Sequence, residues 1–214
     1  MKAEVLKALA DTRLVAIIRG MDPEICVKLA EAYVEGGIRL VEVTFDQTGD
    51  PRKTIAAIRA IRERFAGKLH VGAGTVLTEA QLKAVIDAGG EFMVTPSVNP
   101  ALIRMCVAAG LVAMPGAFTP SEIVTAHEAG ADIVKIFPIR ALGPQYVKDV
   151  LAPLKHISLM AVGGVNPDNA ADYLKAGCVG VGASGSLVNK EWIAAGEWSK
   201  IAAEARRFIS NCNL

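Results

Sequence analysis

The 214-residue sequence carries almost no excess charge: 23 basic and 22 acidic side chains leave a formal charge of +1. Nucleic acid and anionic membrane surfaces are therefore not indicated as partners, since both select a basic face. No apolar run approaches the ~20 residues of a membrane span. The opening MKAEVLKALADTR reads as a short amphipathic helix, not a signal peptide. Histidine is scarce, and His70, His127 and His156 stand far apart outside any ligand-spaced motif, so no metal is expected. Cys26, Cys106, Cys178 and Cys212 form no CxxC pair. A reduced, cytoplasmic setting is the expectation. No G-x-G-x-x-G follows the first apolar run, which argues against a dinucleotide fold. Linkers, low-complexity segments and composition breaks are absent, so residues 1–214 read as one domain.

Apolar residues make up 52% of the chain, enough for a sizeable core. A punctuation of small residues and glycine recurs: EGG at 35–37, AGG at 88–90, AAG at 108–110, EAG at 128–130 and KAG at 175–177. Each closes a helical pattern and precedes a strand-like run, as a left-handed glycine cap does. Eight such runs follow one another: LVAIIR (14–19), LVEVTF (40–45), HVGAG (70–74), FMVTP (92–96), VAMPG (112–116), DIVKIFP (132–138), SLMAVGG (158–164) and VGVGAS (179–184). Strands alternating with helices imply a parallel sheet. Eight units in one chain predict an α/β fold, a (β/α)8 TIM barrel preceded by a short N-terminal helix. A doubly wound open sheet is the alternative.

In such barrels the site lies at the C-terminal ends of the strands. DIVKIFP sets Lys135 inside an apolar strand, on the face of Ile133 and Phe137. On the second strand, Glu42 and Thr44 share a face with Leu40. With both faces inward, one amine and one carboxylate occupy a small, dry interior. A purely structural ion pair is the plain reading, but buried pairs are a poor route to stability. The chemical reading is an amine nucleophile beside an acid–base. Desolvation lowers a lysine pKa, and the free amine attacks a carbonyl to give a Schiff base. Arg19 is either a solvated strand-end charge or a bidentate clamp for a carboxylate; Lys135 and Glu42 favour the clamp. Thr75, after GAG, either presents a hydroxyl at the pocket mouth or caps the next helix, a role for which Thr78 competes. The glycines of VGGVNPDN and GASGS place bare amides after the last two strands, each near a helix opening (the first at Asn166 or Pro167), as phosphate sites in these barrels do.

In order and spacing, VEVTF, GAGTVLT, VTPSVNP, MPGAFTPSE, VKIFP, GPQYVK and AVGGV resemble the bacterial 2-keto-3-deoxy-6-phosphogluconate (KDPG) / 4-hydroxy-2-oxoglutarate (KHG) aldolases. The 2-keto-3-deoxy-6-phosphogalactonate aldolases look equally close. The match runs from about Val15 to Val188. The resemblance implies a class I aldolase that cleaves a 2-keto acid to pyruvate and an aldehyde, as a homotrimer and without metal or cofactor. It implies Lys135 as the Schiff-base lysine and Glu42 as general acid–base. Thr75 would hold the pyruvate carboxylate, Pro96 and Phe137 line the pocket, and Gly163 and Gly164 receive phosphate. Many phosphogluconate-type members carry an arginine shortly after V-E-V-T; Asp46 stands there instead. The carboxylate clamp is accordingly assigned to Arg19, with Asp46 facing the distal part of the substrate. The last phosphate loop reads Ser184-Gly185-Ser186, where the family has Gly-Ser. A phosphosugar isomerase or epimerase barrel without imine chemistry is the competing function.

Overall fold

The computed structural model describes residues 2–212, with Ser186 described by its backbone alone. Nine parallel strand segments form one sheet: β1 (Leu14–Ile18), β2 (Leu40–Thr44), β3 (His70–Gly74), β4 (Phe92–Val94), β5 (Val112–Met114), β6 (Gly116–Ala117), β7 (Val134–Ile136), β8 (Leu159–Val162) and β9 (Gly180–Ala183). Their order is β5-β4-β3-β2-β1-β9-β8-β7-β6. The expected fifth strand is thus two pieces, parted at Pro115, which has no N–H to give a ladder. Because β5 and β6 are consecutive in the chain, the two ends of the order meet there and the barrel closes. The Lys135 N–H donates to the Pro115 carbonyl at 2.8 Å across the seam.

Helices fill the connections: α1 (Lys2–Thr12), α2 (Pro23–Glu35), α3 (Pro51–Arg64), α4 (Glu79–Asp87), α5 (Pro100–Ala108), α6 (Pro120–Glu128), α7 (Gly143–Leu151), α8 (Ala170–Lys175), α9 (Lys190–Ala194) and α10 (Trp198–Cys212). Local chemistry sets their ends. Thr78 with Gln81 and Thr119 with Glu122 form capping boxes that open α4 and α6. The predicted glycine stops hold: Gly37, Gly89, Gly110, Gly130 and Gly177 all have φ between 77° and 112°. After each, the next amide reaches back to a carbonyl in the last helical turn, as Ile38 N–H does to Tyr33 at 2.9 Å. One expectation fails. The helix after β8 opens at Ala170, not at Asn166 or Pro167. The Asn166 side chain instead accepts the amides of Asp168 and Asn169, folding the segment into a turn.

Strand periodicity divides the core in two. One parity of each strand packs outward under the helices: Leu14, Ala16 and Ile18, then Val41 and Val43, then Val134 and Ile136. The other parity fills the lumen with Val15, Ile17, Leu40, Phe92, Val94, Val112, Met114, Ile133, Met160 and Val162. Helix α1 crosses the N-terminal end of the barrel and adds Val5, Ala8 and Leu9 to that inner cluster, closing the floor. Glycines on β3 make room for bulk opposite. A Cβ on Gly72 would stand 2.4 Å from the Phe92 ring. All four cysteines are buried. Burial pushes the thiols of Cys26, Cys106 and Cys178 up to about 12, which keeps them unreactive. Among the described residues, no helix is long and apolar enough to cross a membrane.

Candidate active site

Lys135 and Glu42 both belong to the lumen parity and are 5% and 2% exposed. Glu42 lies between Ile17 of β1 and Gly72 of β3 in register, and Lys135 between Gly116 and Met160. Glycine at position 74 is what lets the carboxylate fit, since a Cβ there would stand 2.1 Å from Glu42 Oε1. Burial raises the Glu42 pKa, opposed by the positive charges of Lys135 and Arg19. Burial likewise lowers the Lys135 pKa, opposed by Glu42 and reinforced by Arg19. The desolvation cost exceeds the mutual attraction on both sides, so each group is pushed toward its neutral form. They sense each other through space without an ion pair among the described residues. The Lys135 ammonium position stands 4.6 Å from the centroid of the Phe137 ring, which marks the way out of the lumen.

Above this pair opens a cavity of about 410 Å³ at the C-terminal ends of β7, β8, β9 and β1. Arg19, Phe137, Gly163, Gly164, Ser184 and Gly185 line it, so six of the predicted site residues meet there. Gly163 and Gly164 have φ of +104° and +86°, a conformation that bare glycine adopts without strain. The Gly164 carbonyl is held by Asn169 Nδ2 at 3.1 Å. The helix termini expected behind the phosphate glycines are not at hand. Helix α8 begins only at Ala170, and β9 leads into a single 3-10 turn, Gly185–Val188. The side chain of Ser186 lies outside the described residues.

Thr75 and Pro96 belong to the opposite side of the mouth, after β3 and β4. Thr78, not Thr75, caps α4. Thr75 holds φ of +55°, a left-handed conformation uncommon for a β-branched residue and of a kind that clusters at functional sites. Gln47 Nε2 donates to its carbonyl at 2.8 Å, and Gln81 Nε2 donates to Gln47 Oε1 at 3.1 Å, tying the loops after β2 and β3. Pro96 is seated by Thr95, whose buried hydroxyl donates to the Ser97 carbonyl at 2.5 Å and accepts the Gly116 amide at 3.3 Å. Asp46 is placed apart from the rest. Its carboxylate accepts the backbone and hydroxyl of Thr48 at 2.9 and 2.8 Å, and it lines a separate cavity of about 180 Å³ beside Lys53. Those bonds hold its carboxyl below the usual range.

Two residues outside the predicted set stand at this site. The Thr44 hydroxyl, one lumen position above Glu42, is buried without a hydrogen-bond partner among the described residues. Strand parity signalled its direction; nothing in the sequence signalled its lack of a partner. Arg140, in the 3-10 turn after β7, lines the 410 Å³ cavity opposite Arg19. A basic residue two positions past KIFP was its only signal.

Known proteins resemble this chain over most of its length. The family profile described as KDPG and KHG aldolase matches residues 5–204. A probable 2-dehydro-3-deoxy-6-phosphogalactonate aldolase of Rhizobium meliloti (strain 1021) is 41% identical over 175 residues, 81% of each chain. A solved native KDPGal structure superposes with a TM-score of 0.82 at 36% identity, covering 92% of this chain and 93% of the other. A KDPG aldolase from Legionella pneumophila, solved with pyruvate captured as a covalent carbinolamine, gives a TM-score of 0.84 at 28% identity over 94% and 96%.

Proposed function

The chain belongs to the KDPG and KHG aldolase family, and from that premise we propose that Lys135 is its imine-forming amine and Glu42 its acid–base. The protein is a pyruvate-dependent class I aldolase, a carbon–carbon lyase. Its substrates are 2-keto-3-deoxy-6-phospho sugar acids, 4-hydroxy-2-oxoglutarate, or both; the products are pyruvate and an aldehyde. One observation carries the assignment of roles: a lysine pushed toward the free amine and a glutamate pushed toward the acid are buried in one lumen beneath the cavity.

The substrate carboxylate sits on Arg19, with Thr75 bounding the pocket across the mouth. The neutral Lys135 amine attacks the keto carbon; the carbinolamine hydroxyl takes the proton of the Glu42 carboxyl and leaves as water, giving an iminium and a Glu42 carboxylate. Glu42, directly or through a water, takes the proton of the C4 hydroxyl. The C3–C4 bond breaks, its electron pair moves into the iminium to give an enamine, and the aldehyde departs. Protonation of the enamine at C3 by the Glu42 carboxyl and hydrolysis of the imine return pyruvate and the free amine. Phe137 and Pro96 keep the reacting carbons dry and oriented, and Gly163, Gly164, Ser184 and Gly185 face the distal phosphate. Asp46 enters only by shaping the loop after β2 through Thr48. The active unit is the single barrel domain, assembled as a homotrimer in the cytoplasm and serving carbohydrate metabolism.

The deciding experiment is reductive trapping. Protein incubated with pyruvate and borohydride, digested and read by mass spectrometry, is expected to carry the adduct on the peptide holding Lys135. Folded protein without an adduct, or a Lys135→Ala protein with wild-type turnover, overturns the assignment.

A further inference from the structure

We infer that Arg140 is the counter-ion for the substrate's distal phosphate and sets the preference for phosphorylated over unphosphorylated aldehydes. The inference rests on the aldolase reading above and adds a residue that neither the strand pattern nor the resemblance assigns. Three observations carry it.

The first is charge. Among the described residues, the cavity is lined by two guanidinium groups, Arg19 and Arg140, and by no carboxylate. Arg19 follows β1 and Arg140 follows β7, with β9 and β8 between them, so the two cations stand across the opening. A substrate with an anion at each end fits a cation on either side of the opening.

The second is contact. A Cβ on Gly164 would stand 2.4 Å from Arg140 Nε and 3.1 Å from its Cβ. The arginine side chain therefore lies along the glycine turn proposed to receive phosphate. Arg140 has no ion-pair or hydrogen-bond partner among the described residues, so its donors are uncommitted. An arginine fork matches a phosphate bidentately, where a glycine amide offers one donor.

The third is what the loop lacks. Anion sites in such barrels draw their positive field from a helix N-terminus. Here α8 opens too late, at Ala170, and the chain after β9 makes only a 3-10 turn. Bare amides without an aligned helix leave a dianion under-compensated, and a guanidinium resting on the same turn supplies the missing charge.

The test compares wild type with Arg140→Gln and Arg140→Lys. Pyruvate is condensed with glyceraldehyde 3-phosphate and, separately, with glyceraldehyde, and inorganic phosphate is titrated calorimetrically into each protein. A charge-assisted pair of this kind predicts a fall of about 10- to 100-fold in the kcat/KM ratio of phosphorylated to unphosphorylated aldehyde for Arg140→Gln. Phosphate affinity should weaken in parallel, with partial recovery in Arg140→Lys. An unchanged ratio and an unchanged phosphate affinity in a folded Arg140→Gln protein overturn the inference, even where wild type forms the pyruvyl adduct. Weakened phosphate binding by the variant, with no pyruvyl adduct in wild type, would instead keep Arg140 as an anion site and remove the aldolase reading.

Discussion

Replacing Gly74 with alanine tests how closely the acid–base is positioned. The backbone at Gly74 lies outside the left-handed region, so alanine brings no torsional penalty there. The added methyl would stand 2.1 Å from Glu42 Oε1, 2.7 Å from its carboxyl carbon and 2.9 Å from Thr44 Cγ2. Ordinary contact begins near 3.4 Å, so the carboxylate must retreat by roughly 1 Å or more. Displacement on that scale costs on the order of 100-fold in rate, or about 3 kcal/mol of transition-state stabilisation. Overpacking costs about 1–3 kcal/mol of stability, which lowers Tm by a few degrees to about 10 °C in a domain of this size. Steady-state cleavage of the 2-keto acid gives kcat, differential scanning calorimetry gives Tm, and borohydride trapping reports the imine. The expected result is a hundredfold loss of kcat with the Lys135 adduct retained. Turnover within about threefold of wild type in Gly74→Ala would refute the claim that Glu42 must stay where the glycine lets it lie.

Other expectations follow from the same interior. Thr44→Val deletes a buried hydroxyl that has no partner and should stabilise the fold by about 1 kcal/mol, read from the denaturant midpoint. The pH dependence of adduct formation should rise with a midpoint below the 10.5 of an ordinary lysine, because burial lowers the Lys135 pKa. Removing the Glu42 charge in Glu42→Gln should move that midpoint lower still, and Arg19→Gln should move it up, since Glu42 raises and Arg19 lowers the value. Glu42 has a folded pKa above 4.5, so its ionisation withdraws stability as pH rises from 4.5 through the raised value. Thermal melts should therefore show Glu42→Gln gaining on wild type across that window, and a gap that narrows as pH rises would refute the burial argument.

The sequence discloses what repeats and hides what depends on a particular neighbour. Leu40, Glu42 and Thr44 were expected on one face, as were Ile133, Lys135 and Phe137, because period two needs no knowledge of the partner strand. The five glycine stops were legible for the same reason: a left-handed cap is a local event. The break at Pro115 depends on which strand would have accepted its missing N–H. Asn166 looked like a helix start, but its side chain reached the amides of a turn first. Asp46 was expected to face the distal part of the substrate; that its carboxylate accepts the amide and hydroxyl of Thr48 was not legible. Arg140 acquires meaning only when the turn after β7 folds onto Gly164, a contact between segments more than twenty residues apart.

Helix α1 packs Val5, Ala8 and Leu9 into the lower end of the lumen, while the cavity of about 410 Å³ opens at the upper end. On the proposed mechanism pyruvate stays covalently held on buried Lys135, and the aldehyde occupies the side of the open cavity. The aldehyde therefore leaves first in cleavage and arrives second in synthesis. Product-inhibition kinetics should display that order: pyruvate competes with the cleavable keto acid for the free enzyme, and the aldehyde gives a mixed pattern. A floor built from Val5, Ala8 and Leu9 leaves the upper cavity as the side from which the aldehyde comes and goes, while the covalent bond on the lysine fixes the order.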